Sequence, residues 1–212
     1  MTLEQSTLIL DEIKKIIPNP KCELNYKNLY ELVCAVMISS QTTDKRVNQV
    51  TPALFAKYPT PVLLAQASYE DVFEIIKSLG FARNKAKNLI SMANTLHFVF
   101  HDEVPKTLEE LETLSGVGRK TASVVLAEGY KIPAMPVDTH LERMAKRFGY
   151  AKADATILEV EQAYRKYIPQ ERWIEAHHLL LLFGRYYCKA IHPECETCTL
   201  KKYCKEKSGS SI

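Results

Sequence analysis

A short segment, LSGVGRKTASVVL at residues 114–126, places two glycines and two cations directly before an apolar run. Gly116 and Gly118 let the backbone turn sharply and come close to a ligand. The free N–H groups at the start of the following helix point outwards, with the positive end of the helix dipole behind them. The segment therefore predicts a helical hairpin that binds an anion such as a phosphodiester.

Lys120, on the first turn of that predicted helix, permits two kinds of chemistry. Its ammonium group opposes the helix dipole, which is a small cost for a residue placed only for structure. The same field, with Arg119 alongside, favours the neutral amine that a nucleophile requires. Two interpretations follow: a lysine that holds phosphate in a binding module, or a lysine that attacks a substrate in an enzyme.

A carboxylate, Asp138, follows in the motif PVDTH at residues 136–140. Its position directly before a predicted helix is that of an N-cap, which is worth about 1 kcal/mol. A capping role alone is the simpler interpretation. An aspartate that also faces Lys120 across a cleft between two helical lobes would be the partner of an amine nucleophile.

Four cysteines crowd near the C-terminus with the spacing Cys188-x6-Cys195-x2-Cys198-x5-Cys204. Four thiolates in so short a stretch suit a tetrahedral zinc ion or a [4Fe–4S] cluster. A zinc ribbon generally pairs two Cys-x-x-Cys knuckles, whereas this segment has one, so the spacing favours the cluster. The lysines around the cysteines, Lys189 among them, are either a solvated surface or a face for a phosphate backbone.

Helices must position these residues, because glycine is scarce (7 in 212 residues) and strand-like alternation is nearly absent. Apolar periodicity predicts helices at residues 3–17, 27–38, 43–57, 69–77, 83–101, 107–113, 119–130, 138–148, 154–166 and 171–186. Ser68 and the pair Thr43 and Asp44 are expected to be N-caps. The stretch KIPAMP at residues 131–136 cannot be helical, because it holds two prolines, and it marks the boundary between two lobes.

Composition excludes several classes of protein. Hydrophobic residues at 46% and charged residues at 25% are ordinary for a globular chain, and a net charge of +3 permits a nucleic-acid partner without establishing one. Apolar runs such as LLLLF are too short to span a membrane, so no membrane partner is expected. The first helix is amphipathic and carries acids, unlike a targeting sequence, which predicts a cytoplasmic protein.

Taken in order, LSGVGRKTA, VDTH and the four-cysteine spacing resemble the endonuclease III family of DNA glycosylases, in the helix-hairpin-helix superfamily. The resemblance extends from the N-terminal helix to Cys204. It implies an all-α fold of two helical lobes, with a helix-hairpin-helix motif and a C-terminal loop that holds a [4Fe–4S] cluster. The implied boundaries are a six-helix domain at 22–132, an iron–sulfur domain formed by 1–21 and 133–207, and a disordered tail at 208–212.

The resemblance also implies an activity on damaged double-stranded DNA. An oxidised pyrimidine is flipped out of the stack. Lys120 attacks C1′ of its nucleotide and displaces the base, and the resulting Schiff base permits β-elimination of the 3′ phosphate. Asp138 stabilises the cationic sugar and takes protons. The implied cluster ligands are Cys188, Cys195, Cys198 and Cys204. The family is typically monomeric, and its substrate implies a nucleoid-associated protein.

Further residues are implied to contact DNA or to lie near it. Gln41, in SSQTTDKRV, is expected to fill the space that the flipped base vacates, and Asp44 to cap a helix nearby. Phe81 is either an apolar wedge beside the orphan base or a core aromatic. The other implied DNA contacts are Gly116, Gly118, Arg119, Thr121, His140 and Lys189. The chain departs from many relatives at Ala82, where they carry an aromatic, and in having a single lysine between residues 189 and 194.

Alternative functions remain at this point. Monofunctional glycosylases of the superfamily remove adenine or mismatched thymine and lack a lysine at the position of Lys120. The adenine enzymes also carry a glutamate where this chain has VMISSQT. A pyrimidine-dimer glycosylase with the same lysine and aspartate stays open. A non-catalytic DNA-binding module would use the hairpin and a structural metal, but it leaves the pairing of Lys120 with Asp138 unexplained.

Overall fold

The computed structural model describes residues 1–205, so the tail expected at 208–212 lies outside the described residues. The α-helices in the described part are α1 (Leu3–Ile16), α2 (Leu29–Ile38), α3 (Asp44–Lys57), α4 (Pro61–Ala65), α5 (Tyr69–Ile76), α6 (Ala82–Phe98), α7 (Leu108–Glu112), α8 (Arg119–Val124), α9 (Thr139–Phe148), α10 (Ile157–Tyr167) and α11 (Trp173–Tyr186). A π-helical turn at Val125–Gly129 follows α8, and short 3₁₀ turns lie at Gln170–Arg172 and Lys201–Tyr203. No β-strand occurs within residues 1–205, and the predicted all-α class is confirmed. None of the described helices has the length and apolar character that crossing a membrane requires.

The chain divides into two compact units. The central unit comprises Glu23–Ile132, and the terminal unit combines Met1–Cys22 with the described residues from Pro133 onwards. The second break therefore falls inside the proline-bounded stretch KIPAMP.

Helix α2 forms the interior of the central unit, because every residue from Tyr30 to Ile38 is buried. The helix begins after Asn28, whose side chain accepts a hydrogen bond from the backbone N–H of Glu31 at 2.8 Å. Helix α8 and the π-helical turn pack against α2, and α6 packs against α4 and α5. The predicted hairpin therefore rests on the most deeply buried helix of its unit.

Capping side chains determine where the helices of the central unit begin. Ser68 caps α5 as predicted, since its Oγ accepts a hydrogen bond from the backbone N–H of Asp71 at 3.3 Å. Thr43 is the N-cap of α3, whereas Asp44 is the first helical residue. The expectation that Asp44 caps this helix is therefore wrong, because the Thr43 hydroxyl takes the N–H of Arg46 instead.

Two elements of the central unit differ from the predicted pattern. Helix α4 was not predicted, because five residues that begin with proline are too few to show a helical period. The helix predicted at 119–130 is instead α8 followed by the π-helical turn. At Gly129, which ends this turn, an added Cβ would lie 2.4 Å from Leu29 Cδ2. Close packing on α2 therefore requires a residue without a side chain there.

The core of the terminal unit is formed by α1, α9, α10 and α11. Ile9, Leu10 and Ile13 of α1 are fully buried in the same cluster as Leu179 and Leu180 of α11. Thr2 opens α1 with a capping box, in which its side chain and that of Gln5 each accept the other's backbone N–H. The N-terminal helix is therefore an integral part of the unit that carries Asp138 and the four cysteines.

Candidate functional site

The hairpin joins α7 to α8, and its two glycines meet different constraints. Gly116 has a φ of 79°, which only glycine adopts easily, and an added Cβ would lie 2.8 Å from Asn88 Nδ2 and 3.1 Å from Met37 Cγ. Gly118 is the N-cap of α8 with a φ of −97°, and no described atom lies within 4 Å of a Cβ added there. Neither conformation nor packing requires glycine at 118, so the open space above it is free for a ligand.

Lys120 lies on the first turn of α8, directly after Arg119. Its side chain is exposed, and within residues 1–205 it makes no hydrogen bond or ion pair. Arg119 and Thr121 are half-buried on either side of it. The amine is therefore accessible to a ligand at the open end of the hairpin.

Asp138 is the N-cap of α9, as predicted. Its Oδ1 accepts hydrogen bonds from the backbone N–H groups of His140 and Leu141, both at 2.9 Å. Within the described residues Oδ2 makes no hydrogen bond. One oxygen thus caps the helix while the other keeps its lone pairs. Because Asp138 belongs to the terminal unit and Lys120 to the central unit, their pairing stays a prediction.

His140, the second residue of α9, is half-buried. Burial lowers the pKa of its imidazole, Arg143 and Arg185 add to the lowering, and Asp138 opposes it. The Nη2 of Arg143 lies 3.2 Å from His140 Nδ1. Since a guanidinium can only donate, Nδ1 is the acceptor and the ring is held neutral.

Gln41 and Phe81, the two residues predicted to enter the DNA stack, share an unusual backbone conformation. Gln41 has a φ of 52° and Phe81 a φ of 59°, both in the left-handed region. Gln41 is exposed, and Phe81 is 65% exposed. Exposure of this size excludes the core-aromatic interpretation of Phe81. Left-handed residues that are not glycine cost on the order of 1–3 kcal/mol each and cluster at functional sites.

Lys85 is a site residue that sequence reasoning missed. It is 4% exposed, and its Nζ donates a hydrogen bond to Thr42 Oγ1 at 2.7 Å. Burial lowers the pKa of its ammonium group. The signal was present in the sequence, since Lys85 shares the buried face of α6 with Ala82, Ala86 and Leu89 at helical spacing.

Three of the four clustered cysteines border one cavity of the terminal unit. Cys188, Cys195 and Cys198 line a cavity of about 280 Å³, with Phe183 and Tyr187 among its apolar walls. The fourth, Cys204, lies close enough to Cys188 to interact with it electrostatically. All four are free thiols. Within residues 1–205 no group of three or more His, Cys, Asp or Glu side chains is arranged around a single metal ion.

Two arginines of α9, also missed by sequence reasoning, hold the start of the cysteine segment. Arg147 Nη1 donates to the Cys188 sulfur at 3.1 Å and to the Lys189 carbonyl at 2.9 Å. Arg143 donates from Nε to the Cys188 carbonyl at 3.2 Å and from Nη2 to the Gly184 carbonyl at 2.6 Å. Burial raises the pKa of the Cys188 thiol, and Arg147 opposes this shift. The helix that Asp138 caps therefore also anchors the first cysteine.

Two of the lysines near the cysteines lie close to carboxylates. Lys189 is exposed, with its Nζ 3.8 Å from Glu194 Oε1, and Lys201 Nζ lies 3.8 Å from Glu196 Oε2. Exposed pairs at such distances are weak and are screened by salt. A phosphate would therefore compete with carboxylates for these lysines.

Comparison with known proteins gives extensive matches. The model of the family described as "HhH-GPD superfamily base excision DNA repair protein" matches residues 34–170. Endonuclease III of Bacillus subtilis (strain 168) is 43% identical over 206 residues, which cover 97% of this chain and 94% of that protein. A solved structure of a trapped endonuclease III–DNA covalent intermediate, an estranged-adenine complex, matches with a TM-score of 0.94 and 43% identity over 98% of each chain. A non-covalent endonuclease III–DNA complex has the same TM-score and identity, and covers 98% of this chain and 97% of that one. The similarity extends over nearly the whole chain.

Proposed function

The chain belongs to the HhH-GPD superfamily of base excision DNA repair proteins, as its motifs predicted, and we propose that it both excises oxidised pyrimidines from duplex DNA and cleaves the strand as an AP lyase. That it is a DNA glycosylase of base excision repair follows from the extent of its similarity to endonuclease III. The lyase step is supported by one observation above all: the amine of Lys120 is exposed and makes no hydrogen bond or ion pair within residues 1–205. A matched endonuclease III has been trapped as a covalent intermediate with DNA.

The proposed reaction begins at the Lys120 amine. Nζ donates its electron pair to C1′ of the flipped nucleotide, and the bond from C1′ to the base breaks with its electrons leaving on the base. Opening of the sugar ring gives a Schiff base between Nζ and C1′. Loss of a proton from C2′ then drives cleavage of the bond between C3′ and its oxygen, and the 3′ phosphate leaves. The final hydrolysis of the Schiff base returns the free amine.

Asp138 is proposed to serve this reaction with the oxygen that does not cap α9. A carboxylate near the sugar stabilises the positive charge that develops as the base departs. The same oxygen can accept the protons that the amine and C2′ release. Because Oδ1 is committed to two backbone N–H groups, the orientation of the carboxylate is fixed before the substrate binds.

The DNA partner is proposed to be damaged duplex bound through the hairpin. Gly116, Gly118, Arg119 and Thr121 would contact its backbone, with His140 and Lys189 as further contacts from the terminal unit. Gln41 and Phe81 would enter the stack from their exposed, left-handed positions. Such a substrate implies that the protein acts at the nucleoid, in the cytoplasm. It is proposed to act as a monomer.

Borohydride trapping on a duplex with one thymine glycol tests the assignment of Lys120. Wild-type protein should form a covalent adduct, whereas Lys120→Ala should form none and should neither release the base nor cut the strand. Duplex affinity and thermal stability should stay near wild type, since exposed side chains contribute little to stability. Lys106→Ala, in the same unit, is the control. Strand cleavage by Lys120→Ala would remove this lysine from the mechanism.

We propose further that Cys188, Cys195, Cys198 and Cys204 hold a [4Fe–4S] cluster. The fit rests on a cavity with three sulfurs and apolar walls, and on the donor set, since thiolates are the ligands that such clusters require. When bound, the cluster joins four points of one segment and so fixes the fold of this segment. The segment has one Cys-x-x-Cys pair where a zinc ribbon generally has two, and this spacing supports the cluster over zinc.

Absorption and iron content test the cluster. Cys198→Ala should be colourless, poor in iron and poorly soluble, whereas Cys22→Ser, outside the cysteine segment, should keep the yellow-brown colour. An iron-replete, coloured Cys198→Ala protein would contradict the ligand assignment.

A further inference from the structure

The loop that carries Gln41 and the turn that carries Phe81 lie against each other in the central unit. A Cβ added to Gly80 would lie 3.6 Å from the carbonyl oxygen of Gln41 and 3.9 Å from Thr42 Oγ1. Both contacts are ordinary van der Waals distances, so the backbone before Phe81 packs directly on residues 41 and 42. Two strained residues with exposed side chains are thus neighbours in space, although they lie forty positions apart in sequence.

The buried residue Lys85 forms hydrogen bonds to both of these segments. Its backbone N–H donates to the Phe81 carbonyl at 3.1 Å, in the first turn of α6. Its side chain then runs to the other segment and donates to Thr42 Oγ1 at 2.7 Å. Thr42 is tied in turn to its own loop, since its N–H donates to the Ser39 carbonyl at 3.0 Å. One residue therefore bonds to both segments.

The burial of the Lys85 ammonium group carries a free-energy cost that a hydrogen bond must offset. Lys85 is 4% exposed, and burying a charged group is costly unless it is hydrogen-bonded. A methionine or leucine would complete the apolar face of α6 without that cost. The bond to Thr42 gives the buried lysine a function, because left-handed conformations at residues other than glycine persist only where surrounding contacts impose them.

We propose that Lys85 is a positioning residue, which through Thr42 locks the Gln41 loop and the Phe81 turn into one rigid element that enters the DNA stack as a unit. The role of this element in DNA rests on the proposed function, whereas the lock itself is a property of the free protein. Lys85 does not contact the substrate in this assignment. It acts by keeping two exposed side chains in a fixed spacing before DNA arrives.

Hydrogen exchange of the free protein tests the lock. In Thr42→Val, amides at residues 39–43 and 80–84 should exchange about tenfold faster or more, as expected when a hydrogen bond to a charged group is lost. Thr42→Ser keeps the acceptor oxygen and should exchange like wild type. Lys85→Met should match Thr42→Val, and the double variant should be no faster than either. Lys87→Met removes an exposed charge from the same helix and should change nothing.

Wild-type exchange in Thr42→Val would overturn the lock, and so would equal acceleration in Thr42→Ser. If Lys85→Met fails to fold, the valine and serine variants decide the question by themselves.

Single-turnover excision tests the consequence for DNA. Thr42→Val and Lys85→Met should lower the excision rate about tenfold, with the Kd for duplex changed less than about twofold. Such a result would show that the loss arises after binding, when Gln41 and Phe81 enter the DNA stack. Phe81→Ala should lower the excision rate by a smaller factor in the Lys85→Met background than in the wild type, since both changes disable the same element. Additive losses would overturn the assignment.

The same data separate this inference from the proposed function. If Gln41→Ala and Phe81→Ala both excise at the wild-type rate, the insertion role of these residues fails, and with it the consequence for DNA, while the exchange data still decide the lock.

Discussion

Replacing each glycine of the hairpin by alanine should separate folding from DNA binding. At Gly116 the alanine must adopt a φ of 79°, which costs an L-residue about 1–2 kcal/mol, and its Cβ would crowd Asn88 Nδ2 at 2.8 Å. Crowding of this kind typically costs another ~1–3 kcal/mol. Gly116→Ala should therefore lose about 2–5 kcal/mol of stability, which corresponds to a fall in Tm of roughly 4–20 °C for a chain of this size.

At Gly118 the same change should leave the fold intact. The φ of −97° suits alanine, and no described atom lies within 4 Å of the new methyl group. Alanine restricts the conformations of the unfolded chain, which stabilises the folded state by about 0.4–1 kcal/mol. Alanine is also a poorer N-cap than glycine, which destabilises the folded state by a similar amount. The net change in stability should stay within about 0.5 kcal/mol. If DNA phosphate approaches this backbone, the methyl group would block it and weaken binding about tenfold or more, because the contact is charge-assisted.

Urea denaturation checks the predicted stabilities of the two variants. Fluorescence anisotropy on a lesion-bearing duplex, measured over a range of salt concentrations, checks their affinities for DNA. Gly118→Ala should keep the wild-type unfolding midpoint and show a higher Kd, with the defect present at every salt concentration. Wild-type affinity in Gly118→Ala would refute the interpretation that the open space is occupied by DNA. Wild-type stability in Gly116→Ala would refute the role given to crowding and backbone conformation.

Two further predictions concern helix α9. Asp138→Asn keeps an oxygen that can accept the same two N–H bonds and should cost less than about 1 kcal/mol of stability, whereas Asp138→Ala should cost about 1–2 kcal/mol. Both should lose excision activity in single-turnover assays, and a fully active Asp138→Asn enzyme would contradict the carboxylate's role. Burial lowers the pKa of His140, so below the unfolded value of about 6.5 the unfolded state binds more protons and the free energy of unfolding should fall as pH falls. Urea denaturation at pH 7, 6 and 5 should show a smaller decline in His140→Gln, and an unchanged decline would exclude this histidine as a source.

Local sequence signals predicted most helix boundaries because the forces that set them are local. Ser68 caps α5 through a residue three positions away, and Asp138 caps α9 through residues two and three positions away. Prolines end helices by removing a donor, which also acts at short range. The five-residue helix α4 and the π-helical turn were missed, because the first is too short to show a period and the second departs from the period of 3.6.

Candidate site residues could be predicted from the sequence only where their types and spacing form a short motif typical of a known chemistry. Lys120, Asp138 and the cysteines lie in short motifs, so proposing them as site residues needed no knowledge of contacts between distant segments. The bonds of Lys85 to Thr42 and of Arg147 to Cys188 join residues more than forty positions apart. Nothing local specifies such partners, since they follow from how the helices pack. The helical spacing of Lys85 could have marked it as buried but not what it binds.

The terminal unit is built from both ends of the chain, which has a consequence for the order of events during synthesis. Helix α1 is synthesised before its partners, since Ile9, Leu10 and Ile13 are buried against helices that follow Pro133. At roughly 5–20 residues per second, the wait while residues 23–132 are made lasts on the order of ten seconds. During that time the contiguous central unit can complete its own core, while the apolar face of α1 stays available to chaperones. The four cysteines, at residues 188–204, emerge later still, so the proposed cluster could assemble only after both units have been synthesised.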